Sequence, residues 1–157
     1  MDSVPTCTFS EVLKDRTQTV GMRTGNEWRP PSIGHLESKV APLSVHYQQG
    51  VEAAYAQSIL QYAELSWHRI VEKMGFRPPL PVHGLGGSDN LDLYLVTNLP
   101  PGVGGYTGFS GYGDDLENSA YGYVVISHVL EPKYIRGVVA HEFFHAVQIA
   151  YHWWEGA

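Results

Sequence analysis

The chain has 157 residues, a length that suits one domain with one sizeable core. Its 43% hydrophobic and 17% charged residues exclude a disordered chain. A net charge of -6 with scattered Lys and Arg argues against a nucleic-acid partner, the single Cys7 excludes an internal disulfide, and no apolar run approaches the ~20 residues of a membrane helix.

The first residues, MDSVPTCTFS, have neither the basic nor the apolar region of a signal peptide. Residues 1–39 are weakly patterned, with turn signals at Thr24-Gly25-Asn26 and Arg29-Pro30-Pro31, and are expected to form an N-terminal arm. Residues 40–47 (VAPLSVHY) read as a first strand that Pro42 pushes to an edge or a late start. In residues 50–75, Val51, Tyr55, Ile59, Tyr62, Ala63, Ser66, Trp67, Ile70 and Met74 recur at spacings of three and four. That pattern predicts a helix, with Gly75 as its C-terminal cap. The segment RPPLPVHGLGGSDN reads as a loop, and LDLYLV at 91–96 as a strand. Residues 98–117, rich in Gly, Tyr and Pro, read as a second long loop. AYGYVVIS at 120–127 is a further strand, and Pro132 opens a last helix that runs at least to Tyr151. The expectation is an α+β fold, a mixed sheet packed on two long helices, with a core spanning residues 40–157.

The last helix carries the chemistry. Residues 141–145 read His-Glu-Phe-Phe-His. On a helix, positions i and i+4 lie one above the other, roughly 6 Å apart, so His141 and His145 can converge on one Zn²⁺. Glu142 stands about 100° round the helix from His141. It is poorly placed as a ligand and well placed to take a proton from a zinc-bound water as general base. Phe143 and Phe144 face away from the metal and anchor the helix. The flanking Val138, Val139, Ala140, Ala146 and Val147 are not the setting of two surface histidines.

The segment GVVAHEFFHAVQIAY resembles the active-site helix of zincin metallopeptidases, in the gluzincin branch. More closely, the chain is similar to a group of secreted bacterial zinc metallopeptidases that share AHEFFHAVQ, LDLYLV, GGYTG and SAYGYVVIS. The resemblance covers about residues 40–157. It implies a zincin-like fold, Zn²⁺ as cofactor, His141 and His145 as ligands, Glu142 as the catalytic residue, and hydrolysis of peptide or protein substrates. It also implies secretion, a C-terminal subdomain beyond the stop at Ala157, and a third ligand in Glu155-Gly156-Ala157, namely Glu155. In this class the strand before the helix forms the cleft edge, which makes Tyr123 and Val124 expected substrate contacts, with Tyr106 and Thr107 of the Gly-rich loop as further groove candidates.

Glu155 lies ten residues after His145, ~15 Å further along an unbroken helix, so the helix must end near Tyr151 and the chain reverse. His152 competes as third ligand, although a histidine there is also favoured by the helix C-terminus. The metzincin pattern HExxHxxGxxH does not fit, since Gln148 and Tyr151 occupy its Gly and third His. The alternative function is a non-catalytic zinc- or peptide-binding relative. Asp114, Asp115, Glu117 and Asn118 read as a solvated acidic surface ahead of a calcium site, and His68, Trp67 and His128 as packing, surface or turn residues. Gly137 is expected to let the helix approach the sheet closely.

Overall fold

The computed structural model describes residues 6–7, 29–113 and 118–152. It contains strands β1 (Thr6–Cys7), β2 (Gly34–Glu37), β3 (Leu43–Tyr47), β4 (Leu91–Val96), β5 (Val103–Tyr112) and β6 (Ala120–Ser127). One mixed sheet holds them in the order β1-β5-β6-β4-β3-β2. β3, β4 and β6 are parallel, while β2 and β5 run antiparallel to β3 and β6. β1 lies parallel to the start of β5, pairing Thr6 with Val103 and Cys7 with Gly105. Parallel neighbours need a crossover, and helix α1 (Ala53–Ser66) supplies the one from β3 to β4. Helix α2 (Pro132–Tyr151) follows β6. The architecture is α+β with a mixed sheet, as the order of patterned segments predicted.

Both helices pack on one face of the sheet. Leu93 and Leu95 of β4, with Val124 and Ile126 of β6, meet Ile59 and Ala63 of α1 and Val139, Phe143 and Val147 of α2 in one buried core. The alternate residues Tyr94, Val96, Tyr123 and Val125 form a smaller cluster on the opposite face. Every residue of β4 is therefore buried, which is why LDLYLV is almost wholly apolar.

The expectation of two long helices holds for α2 alone, which spans 20 residues. α1 is α-helical over 14 residues and then widens into a π-helical segment, Trp67–Lys73. The wider turn breaks the three-and-four phase on which the inward face was read. Met74, the last position of that spacing, is 66% exposed. Gly75 does close the segment: its φ is +78°, and the N–H groups of Gly75 and Phe76 donate to Val71 and Ile70.

The larger correction concerns residues 98–117, where β5 occupies ten positions of the expected loop. Gly108 and Gly111 stand directly across from Tyr123 and Tyr121 of β6. Each tyrosine ring lies over its glycine so closely that a Cβ there would collide with the ring. The glycines provide room for a ring rather than freedom for a turn, and the rings cover the strand. β3 begins at Leu43, just past Pro42, as expected, and β2 lies within what read as an unpatterned arm. Gly137 does not bring α2 close to the sheet, since a Cβ there would meet nothing within 4 Å. Among the described residues no helix is long and apolar enough to cross a membrane.

Candidate metal centre and general base

Pro132 sits in the first turn of α2, and the helix ends at Tyr151, where His152 turns to extended backbone. Between these ends the sequence sorts by face. Val139, Glu142, Phe143, Ala146, Val147, Ile149 and Ala150 are buried, whereas His141 is exposed and His145 and Gln148 are half-buried. Phe143 anchors the buried side in the core with Trp67 against its edge, and Phe144 meets Phe76 edge-on, with ring centres 5.5 Å apart.

On the open side the two imidazoles converge. The Nε2 atoms of His141 and His145 are 3.0 Å apart, and the rings stand at 87° to each other. Two ligands held at ~2.0–2.1 Å in tetrahedral geometry have donor atoms about 3.3 Å apart, so this pair is close to the bite of a zinc ion. Gln148, one turn on, places its Oε1 2.8 Å from His145 Nδ1. A carbonyl oxygen there accepts the Nδ1–H and leaves the lone pair on Nε2, the atom a metal takes. Burial, reinforced by His141, pushes the pKa of His145 down against the opposing Gln148 contact, which favours the neutral ring. These residues fit half of a zinc site.

Glu142 turns the other way, into the sheet, and is 1% exposed. Thr107 of β5 donates its hydroxyl to the Glu142 backbone carbonyl at 2.9 Å and lies 3.1 Å from the carboxylate Oε2. Gly105 makes room: a Cβ there would sit 3.2 Å from Glu142 Cγ and 2.6 Å from the Val125 carbonyl. The strand beside the general-base candidate is thus β5. Sequence reading weighed Thr107 only as a groove residue, and the missed signal was the strand itself.

The other expected residues are dispersed. Tyr123 and Val124 are fully buried in β6, which β5 flanks along its length and β4 flanks over Val124–Ser127. β6 is therefore an interior strand rather than the expected cleft edge, and Tyr123 and Tyr106 belong to the sheet face away from the helices. Glu155 lies outside the described residues, as do Asp114, Asp115 and Glu117. His152 caps α2 through its backbone N–H to Gln148. Among the described residues no third His, Cys, Asp or Glu completes a metal-holding group. His68 pairs with Glu72 on the exposed side of the π segment. No family model, no curated protein and no solved structure matches the chain.

Proposed function

We propose that this chain is the zincin-like core of a secreted zinc metallopeptidase that hydrolyses peptide bonds in peptide or protein substrates. The observation that carries the reading is the approach of His141 and His145 Nε2 to 3.0 Å, beside a glutamate held at the next position. The mixed sheet, with its antiparallel strand β5 against the helix that bears both histidines, supports a zincin-like arrangement.

The chemistry zinc supplies when bound is Lewis acidity toward water and toward the scissile carbonyl. His141 and His145 hold it, with Glu155 as the proposed third ligand, and Gln148 keeps the His145 lone pair on Nε2. Glu142 accepts the proton of the attacking water at its carboxylate and delivers it to the leaving amine. Thr107 fixes where that carboxylate sits. β5 reaches Glu142, and because its start is already paired with β1, an extended peptide would have to run beside the part of β5 beyond Gly105. The second reading is a zinc-binding relative without turnover, and it is favoured by the near-complete burial of Glu142.

Elemental analysis of wild type, His145→Ala, Glu155→Ala and Glu142→Gln tests both. The proposal expects one zinc per chain in wild type and Glu142→Gln, zinc lost from the other two, and chelator-sensitive peptide cleavage in wild type alone. Zinc without cleavage in any wild-type preparation selects the second reading. Absence of zinc after reconstitution ends both.

A further inference from the structure

Strand β2 stands last in the sheet order and, among the described residues, pairs with β3 alone. In an antiparallel ladder the backbone groups of successive residues point alternately toward the neighbouring strand and away from it. Gly34 stands across from Tyr47, and the Ser38 N–H donates to the Leu43 carbonyl, so Gly34, Leu36 and Ser38 serve β3. The N–H and C=O groups of His35 and Glu37 therefore point outward, along the free edge. The side chains of these two residues are 56% and 57% exposed. An open edge of this kind is a template for a further strand.

The sequence of this edge is complementary to itself. His35 and Glu37 flank Leu36. A second β2 laid antiparallel, with Leu36 on the two-fold axis, sets His35 of each copy across from Glu37 of the other. These are also the residues whose backbone groups face outward, so each opposed pair exchanges two backbone hydrogen bonds. An imidazole donates an N–H to a carboxylate whether it is neutral or protonated. A charge on an edge strand ordinarily opposes pairing between copies, and in this register it meets a donor instead. An axis through His35 or Glu37 would set like residues against each other, which disfavours those registers. The ends of the strand agree. Ile33, just before β2, is 70% exposed, and Val40, shortly after it, is 71% exposed. The antiparallel register places Ile33 of one copy opposite Lys39 of the other, next to Val40, so exposed apolar side chains meet at both ends.

We propose that β2 pairs with β2 of a second copy of this chain, joining two sheets into one across a two-fold axis at Leu36. Two-fold pairing of one patch with itself is the commonest form of homo-oligomer. A contact made by one short strand a side is small, so the dimer is reversible and forms at high protein concentration. No residue of the metal centre takes part, so the pairing and the zinc reading stand or fall separately.

The test is sedimentation velocity of the full chain over roughly 10 μM to 1 mM, for wild type, His35→Glu and the double variant His35→Glu/Glu37→Lys. Both positions are exposed, and circular dichroism checks that each variant folds. The proposal expects a reversible monomer–dimer equilibrium in wild type. Dimerisation should be about tenfold or more weaker in His35→Glu, which opposes two carboxylates at each end of the pairing. It should return to within about threefold of wild type in the double variant, which restores opposite charges in the reversed order. Amide exchange at His35 and Glu37 should slow as the wild-type chain dimerises. A chain that stays monomeric throughout overturns the proposal. So does a dimer as tight in His35→Glu as in wild type, or a double variant as weak as the single one. Assembly beyond a dimer would also overturn it, because a two-fold pairing of β2 closes at two copies.

Discussion

Two imidazole nitrogens 3.0 Å apart cannot both carry protons on their facing sides without repelling each other. The Gln148 carbonyl resolves this by taking the His145 proton on Nδ1. Gln148→Leu should therefore weaken zinc binding by about ten- to a hundredfold, measured by competition with a chromogenic chelator, while leaving the fold intact. An unchanged affinity would remove Gln148 from the site. Protonation carries a second expectation at the same residue. An unfolded His titrates near ~6.5, and burial holds His145 below that value. Between the two values the unfolded chain binds more protons, so stability rises with pH. The contribution of His145 is present above the unfolded value and is lost as pH falls through the folded one. Urea midpoints of metal-free protein should fall on acidification below about pH 6.5, with a shallower fall in His145→Gln. A midpoint that rises with acid would contradict the assignment.

At the scale of elements, β5 decides where Glu142 sits, and the Gly–Tyr pairs decide whether β5 forms. Gly108→Ala should cost about 1–3 kcal/mol, because the new methyl must displace the fully buried Tyr123 ring. Chemical denaturation measures this, and a neutral effect would mean the ring can move aside. The same pairs explain what the sequence concealed. Strands β4 and β6 and helix α2 were legible because apolar residues recur at the period of their element, and HExxH falls on α2 with its flanks buried. In β5 the ladder is built from glycines whose partners lie across the sheet, so a reading along the chain finds only loop composition. That omission left β6 read as an edge strand. The π segment was hidden for a related reason: its apolar spacing still resembles a helix, and only the outward turn of Met74 shows the change of phase. Thr107 became visible as a partner of Glu142 only once β5 was a strand.

For the whole molecule, Arg29 joins the segment before β2 to residues far along the chain, through Asp92, Tyr94 and Ser110. Asp92→Ala would leave that guanidinium charged and buried without its counter-ion. A loss of about 3–5 kcal/mol is expected, read as a lower urea midpoint, whereas removal of a surface ion pair would cost ~0–1 kcal/mol. A surface-sized effect would show that solvent reaches Arg29 when its partner is gone.

The sheet order has a temporal consequence. Among the described residues β6 is the last strand, yet it lies between β4 and β5, which precede it. During synthesis β5 therefore emerges with no neighbour on the β4 side to pair with in its final place. The place between it and β4 is filled only once the stretch through Ser127 has been made. Only then is Thr107 in position to receive Glu142, which is made later still. β5 and β6 form a local hairpin, whereas Thr107 and Glu142 are 35 residues apart, so the geometry around the glutamate requires both the hairpin and the helix made after it.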